Sequence, residues 1–225
     1  QNKFVTHFEQ GNGNQSTTYE ECISFYEALD EAYSTIKMVQ KGTTDSGKPL
    51  YLVLYSNDGQ FDYDDKNLNK KAIILINNGI HPGEPDGIDA SMLLMRDLAM
   101  GKIKTAKNTF IAIIPVYNVG GMLNRNSHSR ANQNGPEEYG FRGNARNYDL
   151  NRDFIKSDTK NSRSFQKLFT ELNPDIFLDN HVSNGADYQY TFTCIATQHE
   201  RLGNKLGNYF INELYPSVMK DMNKK

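Results

Sequence analysis

Apolar residues in this chain fall into short continuous runs separated by stretches of helical spacing. The clearest run, residues 73–76, consists of Ile and Leu and is typical of a buried β-strand. It is followed by an Asn-Asn-Gly turn signal, and Asp86 then begins a stretch of helical spacing. The apolar positions of that stretch are Ile88, Met92, Met95 and Ala99. This order predicts a strand, a loop and a helix, the arrangement in which α/β proteins place their chemistry.

Similar patterns predict the other elements of the chain. Thr18 and Glu21 have the spacing of a capping box, and they open a helix that continues until Gly42 ends the segment. The apolar face of this helix consists of Cys22, Tyr26, Leu29, Tyr33 and Ile36. Further strands are predicted at 49–55, 110–116, 176–178 and 188–196. Further helices are predicted at 161–172 and 199–215, with a loose lead-in at 1–16 and a polar tail at 219–225.

The order of these elements predicts the fold class. Because helices alternate with buried strands, we expect an α/β fold with three layers, α/β/α, around a mixed and largely parallel central sheet. The chain has 225 residues, which is enough for a single large domain that buries about 70% of its unfolded surface.

Composition and charge exclude several classes of protein. The net charge is −2 and the basic residues are dispersed, which argues against a general nucleic-acid binder. No run of apolar residues is long enough to predict a membrane span. Cys22 and Cys194 could pair or remain free thiols, so the redox compartment stays open. The Asp- and Asn-rich connection at 56–69 predicts a solvated loop rather than a calcium site, because its spacing is not that of an EF-hand.

Polar side chains follow three of the predicted strands, at the point where each strand ends. His81 and Glu84 follow the first, Tyr117 and Asn118 the second, and His181 the third. Because the carboxyl ends of parallel strands meet at one rim of a sheet, we expect these clusters to converge. Two imidazoles and one carboxylate are the ligand set of a catalytic zinc centre with an open position. The alternative is that the two histidines are buried separately and have no common ligand.

A polar loop at 141–154 carries Arg142, Arg146 and Arg152 together with several amide side chains. A guanidinium group grips a carboxylate through two parallel hydrogen bonds, and an Asn side chain can add another. Beside a zinc site, this loop predicts the binding of a substrate with a free carboxylate. Without the metal ligands, a solvated arginine-rich surface loop would be the better interpretation.

These motifs together resemble the zinc metallocarboxypeptidase family of the carboxypeptidase A and T type. The segment His81-Pro82-Gly83-Glu84 is similar to the His-x-x-Glu of that family, and His181 lies near the expected position of its third ligand. The segment Asp149-Leu150-Asn151-Arg152 is similar to its Asp-x-Asn-Arg sequence. The resemblance covers roughly residues 15–215, including the opening helix.

The resemblance implies a role for each of these residues. Zinc would be bound by His81, Glu84 and His181, and Asp149 would hold the far ring nitrogen of His81. The terminal carboxylate of a peptide substrate would be bound by Asn151 and Arg152. Stabilisation of the oxyanion would fall to Arg142, which we prefer to Arg146 because of its spacing before Asp149. A secreted or periplasmic location is also implied.

The sequence departs from the family at the general base. The resemblance places that Glu well beyond the third ligand, on a late strand, and the chain ends at Lys225 before this spacing is reached. Glu200 and Glu213 lie too early and are interpreted as solvated helix residues. We therefore expect the amino-terminal part of a catalytic domain, without its last strands and with little or no activity alone.

Two other functions remain open from the sequence. A zinc-dependent deacylase of the aspartoacylase and succinylglutamate desuccinylase type would share the zinc ligands and an arginine-rich acid-binding segment. Pro82-Gly83 and the opening helix favour the peptidase. A non-catalytic module that binds carboxylates or peptides is the second alternative, and the loss of a ligand residue would have supported it.

Overall fold

The computed structural model describes residues 4–62 and 71–223, and the chain divides into two compact units, Gln1–Gly185 and Ala186–Lys225. The first unit contains a five-stranded sheet in the order β1-β2-β4-β3-β5. Its strands are β1 Ile36–Thr43, β2 Pro49–Ser56, β3 Ala72–Asn77, β4 Thr109–Ile114 and β5 Ile176–Asp179. β2 is antiparallel to both β1 and β4, whereas β3 is parallel to β4 and β5. The predicted mixed α/β sheet is confirmed.

Helices cover both faces of this sheet. They are α1 His7–Gln10, α2 Tyr19–Ala32, α3 Asp86–Ala99, α4 Val119–Leu123 and α5 Lys160–Leu172, with a 3₁₀ turn at Leu150–Arg152. One core joins α2 and α3 to the sheet through residues such as Leu29, Met95 and Ile113. A second core joins α5 to the opposite face through residues such as Leu168 and Leu75. The three-layer α/β/α arrangement is therefore confirmed, and it shields both faces of the central strands from solvent.

The unit formed by β3, α3 and β4 agrees with the strand, loop and helix expected from the sequence. Gly79 turns the chain after β3 with a φ of 63°, a conformation that side chains with a Cβ rarely adopt. The apolar stripe of α3, including Met92 and Met95, faces the core as its spacing predicts.

The first long helix is shorter than predicted. Thr18 and Glu21 form the expected capping box, but α2 ends at Ala32, and Ile36 is the first residue of β1. The helical spacing of Tyr33 and Ile36 misled the prediction because both side chains enter the same core as α2. The pairing of β1 with β2 overrides the local pattern.

Within the described residues, the lead-in expected to be loose contains the short helix α1. Phe4 is only 6% exposed, and Thr6 and Glu9 form a capping box around α1. Arg96 of α3 donates to the carbonyl of Phe4 and to the carboxylate of Glu9, which ties this segment to the helix layer.

The last strand of the sheet is less buried than its apolar sequence predicts. β5 pairs with β3 and lies at the edge of the sheet, where Phe177 is 37% and Leu178 46% exposed. The strand itself is confirmed, but its burial is not, because the apolar run alone does not distinguish a central strand from an edge strand.

The regular secondary structure of the second unit, within the described residues, is helical. The strand predicted at 188–196 is wrong: these residues have no regular secondary structure. The helical segment begins with a 3₁₀ turn at His199–Leu202 and continues through α6 Gly203–Tyr209, a π-turn at Phe210–Leu214 and α7 Tyr215–Met222. It therefore includes most of the predicted polar tail.

Some expectations concern residues 1–3, 63–70 and 224–225, which lie outside the described residues. The acidic connection at 56–69, with its calcium alternative, is thus described only as far as Asp62. Cys22 is a buried free thiol and Cys194 an exposed one. Within the described ranges, no helix combines the length and apolar character that a membrane span requires.

Asp89 is a buried carboxyl group on α3. It is 7% exposed, and one of its oxygens has no hydrogen-bond partner. Burial raises the pKa of Asp89 from the usual 3.8 to about 7. The unfolded chain loses this proton at a lower pH than the folded protein, so the stability of the folded state falls as the pH rises from about 4 to about 7.

We predict that Asp89→Asn raises the free energy of unfolding above pH 7 by on the order of 2 kcal/mol, because the neutral amide avoids burying a charge. At pH 4 the variant and the wild type should be similarly stable. Urea denaturation across this pH range measures the difference, with the exposed Glu31→Gln as control. A gain that is the same at every pH would contradict this explanation.

Candidate metal centre

The parallel pairing of β3 with β5 brings two histidines to one rim of the sheet. Asn77, the last residue of β3, lies opposite Asp179, the last residue of β5. His81 follows β3 and His181 follows β5, so both histidines lie in loops that begin at the carboxyl-end rim of the sheet. Glu84 lies between His81 and the start of α3. The structure therefore brings His81, Glu84 and His181 together, as expected from their positions after the strand ends.

The side chains of His81, Glu84 and His181 form one cluster. The two imidazole ring centroids are 5.2 Å apart, and one possible ligand atom from each residue lies within 4.8 Å of the others. Nδ1 of His81 is 3.2 Å from Oε1 of Glu84, and Nδ1 of His181 is 3.0 Å from its Oε2. His81 and Glu84 are each 2% exposed and His181 33%, so the cluster is open on one side.

This donor set fits a zinc ion. Two ligand atoms that bind one ion tetrahedrally at about 2.1 Å are separated by roughly 3.4 Å, close to the spacings between Glu84 and each Nδ1. In both histidines Nδ1 faces the cluster and Nε2 faces a carboxylate: Asp149 at 3.0 Å from His81, and Asp179 at 3.1 Å from His181. Histidine ligands of zinc commonly have this arrangement, which fixes the ring and its tautomer.

Asp149 was predicted as the partner of His81, whereas Asp179 was missed. The sequence does contain a signal for it. Asp179 precedes His181 by two residues, a spacing at which the side chains of an extended segment project to the same side.

Neighbouring charges and hydrogen bonds in the cluster favour the ionised form of its carboxyl groups. Burial alone would raise the pKa of Glu84, but hydrogen bonds with His181 and His81 outweigh it and hold that pKa well below its usual range. The carboxylates of Asp179 and Glu84 raise the pKa of His181 from 6.5 to about 9. Burial opposes the ionisation of Asp149 as well, and contacts with His81 and Arg142 lower its pKa. The site therefore holds ionised carboxylates, the form that a metal requires.

Two guanidinium groups adjoin the cluster. Arg142, the predicted oxyanion residue, donates from Nε and Nη2 to Asp149 at 3.1 and 2.9 Å, and its Nη1 lies 3.4 Å from Nδ1 of His81. Arg130 was missed, yet it is only 9% exposed and donates to Oε1 of Glu84 at 3.0 Å. Gln133 connects Arg130 to the carbonyl of Gly83. Only the density of arginines in this stretch could have drawn attention to Arg130.

A cavity of about 200 Å³ opens beside these two arginines. Its lining residues are Ser129, Arg130, Asn132, Phe141, Arg142 and Asn184. Two cations and two amides among the lining residues suit a polar ligand with carbonyl or carboxylate oxygens.

Asn151, Arg152 and Arg146 have other contacts in the structure. Asn151 and Arg152 form the 3₁₀ turn directly after Asp149, which accepts from the backbone N–H of Asn151 at 3.0 Å. Arg152 is exposed and donates to the carbonyl of Asn151. Their contact with substrate remains a prediction, and neither is among the residues that line the cavity. Arg146 lies over the ring of Tyr148.

The polar end of β4 supports the site rather than contributing ligands. The buried Tyr117 hydroxyl lies 3.2 Å from the hydroxyl of Ser162. Asn118 caps α4 and donates to the carbonyls of Ile80 and Arg142, so it joins the two loops that carry His81 and Arg142.

Comparison with known proteins agrees with this fold. A family model described as zinc carboxypeptidase matches residues 22–194, most of the chain. The chain therefore belongs to the zinc carboxypeptidase family.

Curated relatives named carboxypeptidase 2 match about half of the chain. That of Trichophyton rubrum is 28% identical over 116 residues, which cover 50% of this chain and 19% of the relative. That of Trichophyton tonsurans is 29% identical over 120 residues, which cover 52% and 20%. The match thus spans about a fifth of the length of these relatives.

Solved structures share the fold at low identity. A metallo-carboxypeptidase from Burkholderia cenocepacia superposes with a TM-score of 0.58 at 19% identity, covering 77% of this chain and 43% of the other. Bovine thrombin-activatable fibrinolysis inhibitor has a TM-score of 0.59 at 17% identity, covering 84% of this chain and 68% of the other.

We predict that Arg130→Gln lowers the free energy of unfolding of the zinc-free protein by on the order of 2 kcal/mol. The substitution removes one of the cations that balance the buried Glu84 carboxylate, and breaking a buried ion pair is costly. Arg146→Gln is the matched control, because it removes an arginine of the same loop region that does not contact the cluster. Urea denaturation measures both. Equal, small effects would show that the Arg130–Glu84 pair contributes little.

Proposed function

We propose that this chain carries the zinc site of a metallocarboxypeptidase that hydrolyses C-terminal peptide bonds. The convergence of His81, Glu84 and His181, with a carboxylate behind each imidazole, is the observation on which this proposal rests. Membership of the zinc carboxypeptidase family supports it. The relatives named carboxypeptidase support peptide hydrolysis as the reaction of the whole protein.

In this proposal His81 and His181 bind zinc through Nδ1, and Glu84 binds it through a carboxylate oxygen. A zinc ion in such a site polarises a carbonyl group and lowers the pKa of a bound water to about 7. Asp149 accepts a hydrogen bond from Nε2–H of His81 and so keeps the Nδ1 of that ring available.

The guanidinium groups would act on the substrate. Arg142 is 40% exposed and lines the cavity, so it can stabilise negative charge that develops on the scissile carbonyl oxygen. Its bond to Asp149 holds it in place before substrate arrives. Asn151 and Arg152 would bind the terminal carboxylate, and a peptide with a free C-terminus is the partner that this arrangement suits.

The proton acceptor of the reaction is not among the described residues that contact the cluster. The carboxylates found there are Glu84, Asp149 and Asp179, and each one already accepts hydrogen bonds from histidine or arginine. We therefore propose that these 225 residues alone bind zinc and substrate but hydrolyse slowly.

Zinc binding is predicted at one ion per chain. His81→Gln and Glu84→Gln should each abolish stoichiometric binding, because each removes a ligand atom. The control is His128→Gln, which changes an exposed loop histidine. Elemental analysis after dialysis, together with the zinc-induced rise in melting temperature, provides the measurement. Full zinc content in both ligand variants would refute the site.

Peptide binding is predicted to depend on the negative charge of a free C-terminal carboxylate. A zinc-loaded chain should bind a short peptide at least about tenfold more tightly than the same peptide with an amidated C-terminus, since a charged bidentate contact is lost. Arg152→Gln should remove this preference, whereas Arg163→Gln on α5 should not. Calorimetry measures both affinities. A preference that survives Arg152→Gln would assign the carboxylate to another cation, with Arg130 and Arg142 as the candidates that line the cavity.

Turnover of a blocked dipeptide by these 225 residues with zinc should be low, because general-base catalysis typically contributes about 10²–10⁴-fold. Steady-state assays of amino-acid release measure it, and an N-acyl amino acid serves as the parallel substrate. Rapid dipeptide hydrolysis would show that a base is present within the chain. Preferential release of the acyl acid would favour a deacylase.

A further inference from the structure

A carboxylate outside the three proposed ligands contacts the histidine at the more exposed side of the site. Asp179 is the last residue of β5, and its Oδ2 lies 3.1 Å from Nε2 of His181. Because Nδ1 of the same ring faces Glu84 at 3.0 Å, the imidazole is held between two carboxylates. With 33% of its side chain exposed, His181 is less enclosed by the protein than His81, which is 2% exposed.

Asp179 is itself held from the neighbouring strand. Its other oxygen, Oδ1, accepts a hydrogen bond of 2.9 Å from Nδ2 of Asn77. Asn77 is fully buried and is the register partner of Asp179 in the parallel pairing of β3 with β5. The carboxylate thus has one oxygen fixed by the sheet and the other directed at the imidazole.

The chain between Asp179 and His181 is fixed as well. The backbone N–H of Asn180 donates to the carbonyl of Asn77 at 3.0 Å, and its side-chain amide donates to Asn78 at 2.7 Å. Asn78 in turn donates to the hydroxyl of Ser91 on α3 at 2.9 Å. These bonds leave the end of β5 little freedom to rotate, so the direction of the Asp179 side chain is set by the sheet.

We propose that Asp179 is a positioning residue that keeps His181 in the tautomer with a proton on Nε2 and a free electron pair on Nδ1. Asn77 acts behind it by holding the carboxylate. The inference rests on the proposed zinc site, and it adds a residue for which neither the motifs nor the comparisons provide a role. An unsupported imidazole would rotate or place its proton on Nδ1, and either change would weaken metal binding.

The test measures zinc affinity by competition with a chromogenic chelator. Asp179→Ala and Asp179→Asn should each lower the affinity by about 10- to 100-fold, the usual consequence of removing the carboxylate behind a histidine ligand. Asp175→Asn is the matched control, because Asp175 precedes the same strand and accepts from the backbone N–H of Ile73 rather than from a histidine. Its zinc affinity should equal that of the wild type.

Two further readouts separate positioning from a general effect on folding. In the zinc-loaded wild type, nitrogen-15 spectra should show His181 with zinc on Nδ1 and a slowly exchanging proton on Nε2, and Asp179→Ala should make that proton exchange rapidly. In a His181→Gln background, the substitution of Asp179 should change the residual zinc affinity by less than about twofold, since its effect acts through the ring.

The outcomes distinguish this inference from the proposed function. Zinc binding by the wild type with unchanged affinity in both Asp179 variants would overturn the role of Asp179 and leave the zinc site intact. A loss of affinity that persists in the His181→Gln background would also overturn it, because the effect would then not pass through His181. Failure of the wild type to bind zinc would overturn the site and this role together.

Discussion

The parallel register of β3 and β5 is the constraint on which the candidate site depends. Because Asn77 and Asp179 lie opposite each other, the loops after these strands begin at the same level of the sheet. His81 and His181 are 100 positions apart along the chain, and this register brings their ring centroids to 5.2 Å from each other. A shift of one residue in this register would turn the side chains that follow β5 to the opposite face.

The residues around the two histidines balance the charge of the site and orient the imidazole rings. Glu84 contacts both Nδ1 atoms and is nearly inaccessible to solvent, so its negative charge must be balanced within the cluster. Arg130 supplies one balancing charge, and protonated His181 supplies another when no metal is bound. The carboxylates of Asp149 and Asp179 then orient the two rings from behind. The cluster combines buried charge with complete pairing, which is the condition under which such charge is tolerated.

Much of this arrangement could be predicted from the sequence, because it follows from local patterns. The apolar run that became β3, the helical spacing of α3 and the capping box at Thr18 all express local preferences, and the structure agrees with each. The convergence of His81 with His181 required only the further rule that parallel strands share a rim. The errors arose where tertiary contacts decide. Ile36 was assigned to a helix, although its pairing with β2 makes it a strand residue, and Arg130 carries no local signal of its contact with Glu84.

The central claim is that two imidazoles and one carboxylate bind a single cation. The most direct test is the anomalous scattering of crystals of the zinc-loaded chain, recorded on both sides of the zinc absorption edge. We expect one peak within about 2.3 Å of Nδ1 of His81, Nδ1 of His181 and a carboxylate oxygen of Glu84. The absence of a peak among these three side chains, or imidazole rings too far apart to share an ion, would contradict this account.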